Sequence, residues 1–370
     1  MGVFVETGSF RKAVSFAAGA LPKRGGAPEL SGMWLRARGD RLVLSAFDGL
    51  QSAEAGVEAQ STDAEASLLV NGAALVSSVR ALPTGEPKTK LTFTEGGLTM
   101  RCGKALFGLR GMRTEDYPVP PEPPVDGAVE IDAKDFSKAL EVVATAVAKP
   151  GALQSMPALM SLRLHVSGGR LALEASDRLR MAEATLEAEG DAATEWSALV
   201  DPDRLDLSKD GTVVLRCDGR RLLASSGDRR RNLPLLGVDY PDLSKALGDP
   251  DSRPCAVAFD RAALLESLKR AMAVTDKAKP RVMLTATDGG TADLLAAGDG
   301  DSRKYRETLD CKASEGGLGC RFDPNLVADF LAAMDCDEVT LAWRRNGARQ
   351  PFEIKGPEGI RCVVSPVVRD

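Results

Sequence analysis

The sequence predicts an α+β fold of three tandem, similar domains. Three observations carry this prediction. First, "VFVETGSF" from Val3, "VEIDAKDF" from Val129 and "VAFDRAAL" from Val257 obey one pattern, V-x-(V/I/F)-(E/D)-x-x-x-(F/L), at spacings of 126 and 128 residues. Fixed-period self-similarity of this kind is the mark of a duplicated unit. Second, half a unit later, "VNGAAL" from Val70, "VDPDRL" from Val200 and "FDPNLV" from Phe322 each run apolar, then Asn or Asp, then Gly or Pro. Third, the tripeptide Asp-Tyr-Pro occurs at Asp116 and again at Asp239, each time just before the next unit begins.

Each element follows from local chemistry. The first triplet reads as a short alternating strand running into an amphipathic helix. The second marks a further helix start in each unit. Asn71, Asp201 and Asp323 can accept from free N–H groups of the first turn. Pro202 and Pro324 fall at the first helical position, where a missing N–H costs nothing. This gives six helices in all. Between them, "MWLRARGDRLVLSAFD" from Met33 and "MSLRLHVSGGRLALEASD" from Met160 alternate around Gly-Asp and Gly-Gly turns and predict β-hairpins. "LTFTEGGLTMRCG" from Leu91 and "VVLRCDGRRLLASSG" from Val213 predict two more, and "RVMLTATDGGTADLLAAG" a weaker one. The stretches "YPVPPEPPV" and "LGDPDSRP" resemble linkers. Domain boundaries are therefore expected at 1–124, 125–252 and 253–370.

Composition narrows the function classes. The chain has 370 residues, 44% apolar and 27% charged, with a formal charge of −5. No run of 18 apolar residues exists and the N-terminus lacks a signal-peptide pattern, so a cytoplasmic protein without membrane association is expected. The seven cysteines form no C-x-x-C pair, which predicts reduced thiols. His165 is the only histidine, which argues against a histidine-ligated metal or a Ser-His-Asp triad. No Gly-rich phosphate loop occurs. No catalytic residue, metal site or cofactor is expected.

The helix faces are informative. The first helix buries Phe10, Ala13, Val14 and Ala17 and exposes Arg11 and Lys12, with Lys23 and Arg24 in the following Gly-rich loop. The second ends in Arg80. The third buries Phe136, Ala139, Leu140, Val143, Ala144 and Val147 and presents Lys134, Lys138 and, at its end, Lys149. The fourth carries Arg204 and Lys209. The fifth exposes Arg261, Lys269 and Arg270, and the sixth has no basic residue. Singly, each reads as a solvated face. Together, recurring basic faces on repeated helices can hold nucleic acid through its phosphates without sequence preference. The expected DNA contacts are Lys12, Lys23, Arg24, Arg80, Lys138, Lys149, Arg204 and Lys209.

Particular motifs carry a family resemblance. "ASDRLRMA" from Ala175, "DYPDL" from Asp239, "CVVSPVVRD" from Cys362 and "LFGLRGMRTEDYP" from Leu106 resemble, in order and spacing, segments of the bacterial DNA polymerase III beta subunit, the sliding clamp. The Arg178 variant is most similar to actinobacterial clamps. The resemblance covers the whole chain and implies a homodimeric ring of six domains that encloses double-stranded DNA. Phe107 and Leu109 of one subunit would meet Ala273 and Val274 of the other. Arg24 and the loop before Leu159 would touch DNA. A peptide-binding pocket would comprise Leu159, Ser176, Arg178, Leu179, Arg180, Met181, Pro241, Lys245, Ala246, Leu326, Val363, Ser365, Pro366 and Val367. Implied partners are the DNA polymerase III alpha subunit, the clamp loader and other proteins with a clamp-binding peptide. The clamp itself would catalyse nothing and confer processivity. Ser365 stands where many clamps have Met, and Ala246 and Leu326 where larger residues are common. These departures suggest a variant or second-copy clamp that tolerates a pocket-directed inhibitor. A protein-only scaffold of the same fold, or an enzyme on a repeated α+β scaffold, are the competing readings.

Overall fold

The computed structural model describes residues 1–22, 27–61, 65–248, 252–286, 289–298, 303–313, 318–344, 349–357 and 359–367. They divide into two compact units. The first comprises Met1–Ala133, Glu189–Ala198 and Asp203–Leu235; the second comprises Lys134–Ala188, Leu199–Pro202 and Leu236–Asp370. The expected middle domain thus contributes to both.

Five long helices are present among the described residues. They are α1 (Thr7–Ala18), α2 (Gly72–Arg80), α3 (Ala133–Ala144), α5 (Arg261–Met272) and α6 (Pro324–Ala333), with α4 (Ser244–Leu247) a single turn. The starts follow the predicted chemistry. Asn71 accepts from the Ala74 N–H at 2.9 Å and Asp323 from the Asn325 N–H at 2.9 Å, with Pro324 at the first position. α1 begins on Glu6, whose carboxylate accepts from the Gly8 and Ser9 N–H groups, and those bonds lower its pKa. The expected fourth helix is a correction. Pro202–Arg204 is one 3-10 turn. Beyond it Leu205 and Leu207 are both buried. A spacing of two is the spacing of extended chain, not of one helix face. Lys209 therefore lies in a loop. α3 also stops at Ala144, short of Val147.

The hairpins form as predicted. Gly32–Arg38 pairs with Arg41–Phe47, Leu162–Ser167 with Arg170–Ser176, Lys88–Thr94 with Gly97–Cys102, Thr212–Cys217 with Arg221–Ser226, and Val282–Ala286 with Thr291–Ala297. In the first unit they join one thirteen-stranded antiparallel sheet. Its seam is the pairing of Arg229–Pro234 with Ser52–Ser61, so the ladder crosses the expected first boundary. In the second unit Arg180–Glu187 pairs with Ile360–Val364, a ladder that crosses the expected second boundary. A separate four-stranded sheet runs Lys304–Asp310, Thr291–Ala297, Val282–Ala286, Leu318–Phe322.

Helices cover the sheets. The stripe predicted for α1, Phe10, Ala13, Val14 and Ala17, is buried; in α5 Leu264, Leu268 and Ala271 are buried. Of the stripe predicted for α3, Phe136, Ala139 and Val143 are buried while Leu140 and Ala144 are half-buried. The second unit's core includes Phe352, stacked on Trp343 at 5.4 Å and tilted against Phe322 at 5.4 Å. All seven cysteines are free, and burial pushes the Cys320 thiol up to about 11.

Candidate functional site

Most of the predicted pocket residues have described side chains, and those all lie in the second unit. The centre is the loop between the strands Arg170–Ser176 and Arg180–Glu187. Asp177 organises it. Its Oδ1 accepts from the Leu179 N–H at 3.0 Å and the Arg180 N–H at 2.9 Å, and its Oδ2 from Arg180 Nε at 3.1 Å. Buried Ser176 accepts from the Arg178 N–H at 3.1 Å and donates to the Arg180 carbonyl at 2.9 Å. The turn forces Arg178 to φ 75°, the one positive φ among described non-glycine residues. Its side chain is exposed, as is that of Leu179.

Arg180 points inward with 7% of its side chain exposed. Besides Asp177 it reaches Asp329 at 2.9 Å and the Leu326 carbonyl at 3.2 Å, and it lies over the Phe330 ring at 5.4 Å. One guanidinium thus ties the loop to α6. The C-terminal segment adds a wall. Met181 pairs with Val363, the Ser365 N–H donates to the Leu179 carbonyl at 2.8 Å, and the Val367 N–H donates to the Arg321 carbonyl at 2.8 Å. Leu159 is buried on the 3-10 turn Pro157–Met160. Pro241, Leu326, Ser365, Pro366 and Val367 are half-buried. The side chains of Lys245 and Ala246 lie outside the described residues.

The segment after Tyr240 is anchored by groups that sequence reasoning missed. Glu353, 1% exposed, pairs with Arg253 at 3.0 Å and with Arg361 at 2.8 Å. Arg253 donates to the Leu247 carbonyl at 2.9 Å, and Arg361 to the Gly248 carbonyl at 3.0 Å. Tyr240 stacks on the Arg163 guanidinium at 6.0 Å, and Arg163 pairs with Glu174 at 2.6 Å. Burial, with the Glu174 carboxylate next, pushes the Tyr240 phenol up. No local pattern marks Arg253 and Glu353, which are 100 residues apart, whereas Arg163–Glu174 and Arg361–Glu353 lie 11 and 8 residues apart on neighbouring strands. Asp177 was within reach, since it sits inside "ASDRLRMA".

The predicted DNA contacts divide. Lys12, Arg80, Lys149 and Lys209 are exposed. Arg204 is half-buried and donates to the Gly19 carbonyl at the end of α1. Lys138 pairs with Asp335 at 3.0 Å. Lys23 and Arg24 lie outside the described residues. Arg11 and Arg261 are structural: Arg11 donates to the Arg80 carbonyl at 3.2 Å, and Arg261 to the Leu331 carbonyl at 2.9 Å, each closing the end of the neighbouring helix. Of the predicted interface residues, Phe107 and Leu109 lie half-buried on the strand Ala105–Arg110, Ala273 is exposed and Val274 is half-buried after α5.

Solved structures share this fold over its full length. A Pseudomonas aeruginosa sliding clamp bound to griselimycin matches with a TM-score of 0.87 at 19% identity, covering 100% of both chains. The Thermotoga maritima beta subunit matches with a TM-score of 0.82 at 23% identity, again over 100% of both. This is a sliding-clamp fold. Residues 1–121 match the family model of the DNA polymerase III beta subunit N-terminal domain. By sequence the chain is similar to beta sliding clamps, among them actinobacterial ones. The Streptomyces coelicolor clamp is 28% identical, with 99% of each chain covered. The beta sliding clamp homolog GriR of Streptomyces muensis is 27% identical, with 93% of this chain and 91% of the relative covered.

Proposed function

We propose that this protein is a DNA sliding clamp. Two copies would form a ring of six domains, three from each chain with boundaries near 124 and 252, around double-stranded DNA. The single observation that carries the reading is the full-length match in fold to solved clamps, matched by full-length sequence relatives that are themselves clamps. Sliding needs phosphate contacts without base contacts, so that moving along the duplex changes no energy. Exposed Lys12, Arg80 and Lys149 suit that role better than Arg204 and Lys138, which already serve the fold, and Lys209 is exposed as well.

Ring closure would use two strand edges. Ala105–Arg110 pairs on one side with Gly97–Cys102, and Lys304–Asp310 on one side with Thr291–Ala297. Among the described strands these outer edges carry no further ladder, which supports edge-to-edge pairing between copies. Phe107 and Leu109 would meet Ala273 and Val274 there. The pocket around Leu179, Met181, Leu326 and Val363 would take the apolar residues of a short peptide from the DNA polymerase III alpha subunit, the clamp loader or other clamp-binding proteins. The protein would act in the cytoplasm as a processivity factor and catalyse no reaction.

The test is retention on DNA. Loaded protein should stay on nicked circular DNA and run off when the circle is cut. Equal retention on both forms, or none on either, would sink the reading. A second reading, a second-copy clamp tolerant of a pocket-directed inhibitor, is favoured by the similarity to GriR together with Ser365 and Leu326 in the pocket. Titration with griselimycin and a clamp-binding peptide separates the two. Tolerance predicts weakened griselimycin with the peptide retained, whereas ordinary affinity for both removes the idea.

A further inference from the structure

The first unit contains a near copy of the pocket's flank, with one part missing. Asp48 organises the loop Phe47–Ala53 as Asp177 organises its own. Its Oδ1 accepts from the Leu50 N–H at 3.0 Å and the Gln51 N–H at 2.9 Å, and its Oδ2 from Gln51 Nε2 at 2.9 Å. The strands beside the two loops then match position by position. In the first unit Trp34 pairs with Ser45, Ser45 with Glu54, and Glu54 with Arg230. In the second, Arg163 pairs with Glu174, Glu174 with Glu183, and Glu183 with Arg361. The Asp-Tyr-Pro repeat lands on the same spot in both. Tyr117 packs edge-on against Trp34 at 5.6 Å, where Tyr240 lies on Arg163.

The difference is what covers the row. In the second unit the chain covers it with its own Leu247 segment, and Glu353 supplies a carboxylate to Arg361 at 2.8 Å. In the first unit the position of Glu353 is taken by Leu223: Leu223 pairs with Asn232 as Glu353 pairs with Val363. Arg230 approaches Glu54 only at 4.0 Å, and Arg36 approaches it at 3.7 Å. Both guanidiniums face a cavity of about 520 Å³, walled by Trp34, Tyr117 and the Pro118–Pro123 segment. Arg230 meets Glu54 only at that distance, Arg36 also donates to Ser45 Oγ at 3.0 Å, and Glu122 of the proline segment lines the cavity beside its apolar residues. Exposed pairs at such distances hold little energy, so an incoming carboxylate displaces them at small cost and gains a charge-assisted bond.

We propose that this cavity is a second peptide site. It takes an acidic segment whose leucine-like side chain enters between Trp34 and the proline segment, and whose carboxylate reaches Arg230 and Arg36. The peptide's carboxylate would supply from outside what Glu353 supplies within the chain in the second unit. The site stands apart from the peptide pocket proposed above and does not require that reading.

The test reads Trp34 directly. The full-length protein is labelled with 5-fluorotryptophan, and the Trp34 fluorine signal is assigned with Trp34→Phe. The probe is acetyl-Ala-Leu-Glu-Glu-amide at millimolar concentration, with acetyl-Ala-Leu-Gln-Gln-amide as its uncharged twin. The expected result is a saturable shift of the Trp34 signal that persists when a clamp-binding peptide saturates the other pocket. The shift should weaken about tenfold or more for the uncharged twin, for Arg230→Gln and for Arg36→Gln. No shift, an equal shift with the twin, insensitivity to both substitutions, or loss on adding the clamp-binding peptide would each overturn the proposal. Failure of the clamp-binding peptide to bind at all would count against the pocket reading alone.

Discussion

The loops Phe47–Ala53 and Ser176–Ala182 solve the same local problem and differ in what they are attached to. Each closes on an aspartate that accepts two backbone N–H groups and the side chain three positions on. In the first loop that side chain is Gln51, whose amide nitrogen returns to Asp48. In the second it is Arg180, which also binds Asp329 and the Leu326 carbonyl. The position after the aspartate is Gly49 at φ 96° in one and Arg178 at φ 75° in the other. The aspartate's side-chain partner stays within the loop in the first unit, where Arg221 reaches the Leu50 carbonyl at 2.8 Å from outside, and it becomes a tether to a helix in the second. The backbone motif is set by a few residues, and its attachment is set by one side chain.

Substitutions that exchange the two versions sharpen the comparison. The largest effect is expected where the copies diverge most, at the position of Leu223 and Glu353. Glu353→Leu leaves Arg253 and Arg361 without their shared carboxylate, and loss of about 3–5 kcal/mol is expected. Urea unfolding measures it, and a loss under about 1 kcal/mol would mean that the pair is dispensable. Next is Arg180→Gln, which installs the first loop's residue. It should cost about 2–3 kcal/mol and loosen α6, read as lost stability and faster amide exchange in α6. The matching change Gln51→Ala removes one side-chain bond and should cost about 1 kcal/mol. Equal losses at Gln51 and Arg180 would break the distinction between a side chain that closes its own loop and one that also holds α6.

Smaller effects follow. Arg178→Gly relieves a left-handed conformation that costs other residues about 1 kcal/mol. Stability should therefore rise slightly, as the thermal midpoint reports, and a fall would assign the Arg178 side chain a contact that holds the fold. Smallest is the pH response of Glu183. Burial, with the neighbouring Glu174 carboxylate next, raises its pKa, and the Arg361 charge opposes them only in part. A raised carboxyl pKa favours the protonated form in the fold, so the charged form weakens stability above the unfolded value. Glu183→Gln should stabilise slightly at neutral pH, and the gain should fade as pH falls through the folded pKa. Unfolding midpoints at neutral and acidic pH check both the sign and the fading.

Much of this architecture was legible because short-range chemistry dictates it. Glycine-containing turns between alternating runs announced the hairpins, and Asn71 and Asp323 announced their helices. The expected fourth helix failed because a capping aspartate and proline suit a 3-10 turn equally well. What decides is the spacing of the next apolar residues, and Leu205 and Leu207 sit two apart. At the site, "ASDRLRMA" located the loop and its arginine. Which groups Arg180 would bind was invisible, since Asp329 arrives from a helix that only the tertiary fold brings near. The buried Glu353 cluster was hidden for the same reason. The repeat of Asp-Tyr-Pro was visible from the start. That its two copies sit over equivalent rows, with Leu223 in one at the position of Glu353 in the other, appears only with the strand register.

The ladders that cross the expected boundaries bear on how this chain can be dissected. Ser52–Ser61 has its neighbour Arg229–Pro234 beyond the expected first boundary, within the same compact unit. A fragment ending at residue 124 would keep the ten residues of Ser52–Ser61 and strip the hydrogen-bonding partners from part of one side. A bare edge of that kind recruits whatever strand it meets. Truncated fragments should therefore clump, and anyone wishing to study one piece alone must carry the partner strand with it or blunt the edge with lysine or proline.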